Sequence, residues 1–404
     1  MKRISIRTTV CSLVCFLFLI HSTRVSAQGG RTQYPGFLTN HTYFEINVGY
    51  INYAFSNAHL TAGHSAGSVY VPHAAVRLVL YGYQFNKFLS AQISYMRPVL
   101  WIQYKNVDGD HDAHSVTMNI TGVTLKSFLL NRKKLSLYIE AGGGHVTRTG
   151  FDINNSVVLK DLSYITFLGG AGLNYSLNDK WSLIGSTAWS PASSKQGQPA
   201  TVFAAAGIRY NVHRLSAATV EENKNSPYFR FPNLLQVGYT SNVLGYGVNN
   251  VASNKVFPVF WGGDVQVGKG YSIYYQRNFF HGRKLFSIDL GASISYWKSN
   301  VQNTGFYTLS LFPVFRFSFL HLKTTDLYFN YSVAGPSYIS KVKIDDTPTG
   351  KHFTFQDLMG IGIFTGKHRN LNAEIRIAHY SNGDLFPENN GVKVPLSLNV
   401  GYAF

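Results

Sequence analysis

The chain runs to 404 residues with a formal charge of +17, and it is rich in aromatics, with 29 Phe, 26 Tyr and 5 Trp. Both cysteines, Cys11 and Cys15, lie within the first 27 residues, so the remainder can hold no disulfide, thiolate nucleophile or Cys-ligated metal. Beyond residue 27 no stretch reaches the roughly 18 unbroken apolar residues of a membrane helix. Many aromatics, 37 glycines and few charges fit a transmembrane β-barrel instead.

Residues 1–27 read as a secretory signal. Lys2, Arg3 and Arg7 form a basic start, an apolar run follows from Val10 to Ile20, and Val25-Ser26-Ala27 supplies small residues for cleavage. Loss of Lys2, Arg3, Arg7 and Arg24 leaves a charge of +13. Secretion turns that charge away from nucleic acid and towards anionic lipid or a phosphorylated glycolipid.

The first half alternates apolar and polar residues in strands at 43–53, 75–86, 88–97, 115–129, 134–147, 162–177, 180–190 and 201–212. Phe44, Ile46, Val48 and Tyr50, for instance, alternate with Glu45, Asn47 and Gly49. Short connections (Asn86-Lys87, Asn178-Asp179) alternate with long ones (54–74, 98–114, 148–161, 191–200), the asymmetry of an outer-membrane barrel. Gly142, Gly143 and Gly144 precede His145 without a following helix, so they suit a crowded interior rather than a phosphate loop. Asp108, Asp110, His111, Asp112 and His114 crowd one outer loop, where they either bind a divalent cation or form a solvated polar turn.

Residues 213–232 are polar and break the rhythm, as a linker would. In the second half, strands are expected at 257–268, 270–280, 284–297, 305–320, 324–335, 353–365, 370–381 and 394–404, with 233–256 left without a place. Leu396, Leu398, Val400, Tyr402 and Phe404 give an aromatic closing strand like the signal by which bacterial barrels are recognised for insertion. The expected architecture is all-β: a signal (1–27), an eight-stranded barrel of unknown role (28–212), a linker (213–232) and a second eight-stranded barrel (233–404). Each barrel would be filled by side chains. The alternative is one sixteen-stranded barrel with a pore.

On strand 370–381, Leu371, Ala373, Ile375, Ile377, His379 and Ser381 share one face. This is the apolar face, turned to lipid, and as the seventh strand it ends in the outer leaflet. His379 and Ser381 lie about 6.6–6.8 Å apart along it, which allows a hydrogen bond from the Ser hydroxyl to the imidazole, the minimum of an activated serine. A boundary histidine beside an ordinary serine is the plainer alternative.

Several segments together resemble the lipid A 3-O-deacylase (PagL-type) family: Phe353-Thr-Phe355-Gln-Asp357, Gly360-Ile361-Gly362, His379-Tyr380-Ser381-Asn382-Gly383, Pro387-Glu388-Asn389-Asn390-Gly391 and Gly401-Tyr402-Ala403-Phe404. The resemblance covers 353–404 as motif. It implies an outer-membrane esterase that removes a 3-hydroxyacyl chain from lipid A of lipopolysaccharide, with Ser381 as nucleophile, His379 as base, Asn382 at the oxyanion, and neither metal nor cofactor. The expected partners are the membrane, lipopolysaccharide and the barrel-insertion machinery, with no nucleic acid. Where the family carries a Glu to orient the His, this chain has Lys393. Two carboxylates can substitute: Glu388 in the same loop, or Asp357 on the adjacent strand, which faces out in one phase and inside in the other. Lys341, Lys343, Lys351 and His352 in loop 336–352 either hold lipid A phosphates or are simple loop charge. A barrel that kept the shape and lost its acid is the non-enzymatic rival.

Overall fold

The structure is a computed structural model that describes residues 31–39, 41–154, 156–253, 262–386 and 388–404. The signal at 1–27 lies outside these residues, as does the start of the strand expected at 257–268.

Two closed antiparallel rings of eight strands follow one another in the chain. In the first, β1 (Thr42–Tyr53), β2 (Ala74–Gln84), β3 (Leu89–Pro98), β4 (Asp110–Arg132), β5 (Leu135–Thr149), β6 (Leu162–Ser176), β7 (Trp181–Ser190) and β8 (Thr201–Asn211) pair in order, and β8 closes on β1. The dyad pattern sets the phase. Ile46, Val48 and Tyr50 face outward and exposed, while Glu45 and Asn47 are buried inside. The interior is ionic: Glu45 accepts from Lys126 Nζ at 3.1 Å and Arg209 Nε at 2.8 Å, and Arg77 pairs with Glu140. Each buried charge thereby has a partner. Gly142 and Gly144 do face this crowded interior, and a Cβ on Gly142 would stand 2.1 Å from the Val123 carbonyl oxygen. Gly143 points to open space.

The second ring comprises β9 (Asn233–Ser241), β10 (Val265–His281), β11 (Phe286–Ser299), β12 (Gly305–His321), β13 (Asp326–Ile339), β14 (Phe353–Thr365), β15 (Leu371–Ser381) and β16 (Val392–Ala403). Here the sequence reading needs two corrections. Residues 233–241, left unplaced, form the first strand. The segment around 265–281, read as parts of two strands split at Gly268-Lys269-Gly270, is one strand with a bulge between Val267 and Lys269. The closed rings also rule out a single sixteen-stranded barrel.

The lower interior of this barrel holds a polar network in which Glu374 accepts from Arg376 Nε (2.6 Å), Tyr328 Oη (2.7 Å) and Asn330 Nδ2 (2.9 Å). Above it the interior turns apolar, with Tyr274, Trp297, Phe312, Val314, Leu358 and Tyr380 buried together. Both barrels are thus filled, as eight strands dictate. Between the rings, residues 213–232 include a short helix, α1 (Ala217–Lys224), and Tyr228 and Phe229, which stack on His321 and His281.

Candidate active site

β15 carries the site because alternation separates its two faces. Asn372, Glu374, Arg376, Ala378 and Tyr380 are buried in the barrel, while Leu371 and Ile375 face outward and exposed. His379 and Ser381 continue the outward face. This wall is not bare at its upper end, however. A second short helix, α2 (Gly247–Ala252), lies in the connection between β9 and β10, and its Ala252 packs on Ile377. Ile377 is consequently only 2% exposed, and His379 beyond it is 1% exposed. The expectation that the whole stripe meets lipid holds below Ile377 and fails above it.

His379 has two cross-strand neighbours, Asp357 on β14 and Lys393 on β16. Asp357 takes the outward phase, with His379 Nδ1 3.4 Å from its Oδ2. Its other oxygen accepts from the Ala334 backbone N–H at 2.7 Å. That donor is free of the sheet because β13 bulges between Ser332 and Gly335, where Ala334 adopts a left-handed φ of 55°. The bulge gives no side-chain pattern, so the sequence offered no sign of this donor.

Lys393 turns the other way. Its Nζ donates to Asn250 Oδ1 on α2 at 3.0 Å and lies over the Tyr246 ring. Glu388 is exposed on the loop and makes no ion pair among the described residues. The structure therefore brings Asp357 to His379 and leaves Glu388 away from it.

Among the described residues the Ser381 hydroxyl makes no hydrogen bond, so the expected bond to the imidazole is open in the free protein. Catalytic hydrogen bonds are often long before substrate binds and tighten afterwards. His379 Nε2 lies under the loop from Asn382 to Gly391. A Cβ on Gly391 would stand 2.6 Å from Nε2, so only glycine lets the backbone pass over the ring at this distance. Asn382, next to Ser381, is fully buried, and among the described residues its Oδ1 and Nδ2 have no hydrogen-bond partner. Its backbone N–H is held by Asn389 Oδ1 at 2.6 Å, and Asn389 in turn donates to Asp384 Oδ1 at 2.8 Å. Burial raises the Asp384 carboxyl above its usual range, against the opposing pull of Asn389 and Arg97.

Of the loop cations, Lys351 lies over the Phe386 ring beside this loop, whereas Lys343 pairs with Asp346 and His352 bonds the Ile339 carbonyl. Lys341 enters through its carbonyl, which accepts from the Thr349 hydroxyl. In the first barrel the acidic loop splits into separate pairs. Asp108 meets His64, which is also 3.3 Å from Ser156 Oγ, and Asp110 meets His114. His111 bonds Asn106, and the Asp112 backbone N–H bonds Asp110. No three of these ligands gather among the described residues.

Residues 269–403 match the family model described as lipid A 3-O-deacylase (PagL). No curated protein matches the chain. Among solved structures, the outer membrane enzyme PagL is 18% identical, over 42% of this chain and 99% of that one, at a TM-score of 0.31. The N-terminal β-barrel domain of Pseudomonas aeruginosa OprF is 16% identical over 42% of this chain and 97% of that one (TM-score 0.28). The Yersinia pestis protein Ail is 15% identical over 43% and 99% (TM-score 0.26). The family match thus falls on the second barrel, and the chain folds as two antiparallel barrels of eight strands.

Proposed function

We propose that the second barrel is an outer-membrane serine esterase that removes an ester-linked 3-hydroxyacyl chain from lipid A. One observation carries the reading: Asp357, His379 and Ser381 share the outer face of β14 and β15, with His379 Nδ1 3.4 Å from Asp357 Oδ2. The deacylase family match over residues 269–403 supports lipid A as the substrate class.

In this reading Ser381 Oγ attacks the ester carbonyl while His379 Nε2 takes its proton. The tetrahedral oxyanion accepts from Asn382 Nδ2. On collapse, His379 returns the proton to the sugar alkoxide, which leaves as the alcohol. Water, deprotonated by the same imidazole, then releases the fatty acid and restores Ser381. Asp357 holds the proton on Nδ1, which makes Nε2 the accepting nitrogen, and it stabilises the imidazolium. Its second oxygen is tied to Ala334 N–H, which fixes the carboxylate. Lys351, beside the loop, suits a lipid A phosphate. The reading also places the chain in a bacterial outer membrane, exported by a cleaved signal and inserted by the barrel-assembly machinery.

Mass spectrometry of lipid A from cells expressing wild type or S381A tests it. Wild type should remove one 3-hydroxyacyl chain and S381A none. Unchanged lipid A with both proteins folded in the outer membrane would refute it. Lys393 at the family's acid position favours the second reading, a lipopolysaccharide-binding barrel without activity. Failure of the purified protein to hydrolyse short-chain esters would select that reading.

A further inference from the structure

The second barrel holds the whole candidate site, which leaves the first without a task. Its outer wall supplies one. On β4 the outward residues Val123, Leu125 and Leu129 are 62%, 53% and 67% exposed, as a lipid-facing wall requires. Higher on the same face Asn119 is 1% exposed, and so is its cross-strand partner Thr147 on β5. Something other than lipid covers this polar patch. Asn119 Nδ2 donates to the backbone carbonyl of Asp384 at 3.2 Å, so the cover is the loop that follows Ser381 in the second barrel. The positive charge of Arg97, outward on β3, also favours the ionised Asp384 carboxylate. Thr117 and Thr149 line a cleft with Asp384, Glu388, Asn389 and Asn390.

The loop needs such support. Gly383, Asp384 and Glu388 all take left-handed backbone angles, at φ 63°, 56° and 62°, and the two non-glycine residues are strained there. From the first barrel a continuous set of bonds runs through Asp384 to Asn389 and on to the Asn382 backbone N–H, one residue past the serine.

We propose that the first barrel is a built-in positioning partner: through Asn119 and Arg97 it holds the loop 382–391 and so presents Asn382 to the substrate. Asn119 touches no reacting atom and acts only through Asp384. The kinetic half of this proposal rests on the esterase reading, and the structural half does not.

The test uses the full chain in detergent or nanodiscs. Hydrogen exchange of segment 382–391 is compared in wild type and N119L, beside kcat and KM on lipid A and on a short soluble ester. Loss of one such bond should speed exchange in the loop about fivefold, with β14–β16 unchanged, and should lower kcat by a similar factor at constant KM on both substrates. A merely structural loss would reduce the folded fraction and leave kcat per folded molecule alone. If N119L does not assemble, R97Q should move the same segment in the same direction. Unchanged exchange in the loop overturns the proposal whatever the activity. Faster exchange in a protein whose wild type hydrolyses nothing leaves the clamp standing and removes the esterase reading.

Discussion

Replacing Asp357 by Asn is the sharpest perturbation of the proposed site, because it keeps shape and changes only charge and donor pattern. In wild type one carboxylate oxygen takes the Ala334 N–H at 2.7 Å and the other faces His379 Nδ1 at 3.4 Å. In D357N the amide oxygen keeps the better bond, to Ala334, and the amide nitrogen turns to His379. An N–H now faces Nδ1, so the ring must carry its proton on Nε2, where it can no longer accept from Ser381. Loss of the right tautomer costs about 10⁴-fold in a well-aligned triad. The 3.4 Å separation marks a weaker coupling, so about 10²- to 10⁴-fold in kcat is expected here. Folding should change by at most about 1 kcal/mol, since no buried donor is orphaned. Steady-state hydrolysis by the purified protein, with heat-modifiable gel mobility as the folding control, measures both. E388Q is the companion, and should keep wild-type turnover because Glu388 is exposed. Wild-type turnover in D357N, or a collapse in E388Q, would refute the assignment.

Asn382→Leu should separate stability from activity. Removing two buried, unpartnered polar atoms should stabilise the fold by about 1–3 kcal/mol in a urea titration, while kcat falls about 10²- to 10³-fold with the oxyanion donor gone; a less stable N382L would contradict this. Gly391→Ala places a methyl 2.6 Å from His379 Nε2, and the displaced ring or loop should lower kcat by about tenfold or more with little change in melting temperature. Asp384 gives a pH signature. Burial raises its carboxyl, so the folded chain binds that proton more tightly than the unfolded chain, and ionisation costs stability above the raised value. D384N should therefore be more stable than wild type at pH 7, and the advantage should fade as the pH falls towards the ordinary carboxylate value; a gap that widens on acidification would overturn the sign.

The first barrel was legible because lipid outside and ions inside enforce a strict two-residue alternation. β1, expected at 43–53, runs from Thr42 to Tyr53, and β6, expected at 162–177, runs from Leu162 to Ser176. The second barrel was harder at its start. β9 is only nine residues long and follows a polar stretch, and the Gly268-Lys269-Gly270 bulge in β10 imitates a turn. One strand missed and one split leave the parity intact, so β15 is still the seventh strand. α2 has six residues and no helical period to read. The phase of Asp357 was ambiguous for a related reason. At its height the barrel interior is apolar around Leu358, and the outer wall is covered by α2, so both faces of β14 read as apolar.

The same geometry accounts for the Lys at the position of the family's acid. A histidine on a central antiparallel strand has one residue directly opposite it on each side. For His379 these are Asp357 and Lys393. On the proposed reading either neighbour can supply the carboxylate that Nδ1 needs, provided the strand carrying it is held. Here β14 supplies it, and the β13 bulge fixes it with Ala334 N–H. Once the acid stands on β14, the β16 position is free to serve the cover instead, and Lys393 does so by bonding Asn250 on α2. K393M, which keeps the apolar stem but loses the bond to Asn250, should therefore keep turnover within a few-fold of wild type, whereas D357N loses it. Turnover lost in K393M as in D357N would show that Lys393 itself serves the reaction and that the exchange of sides did not occur.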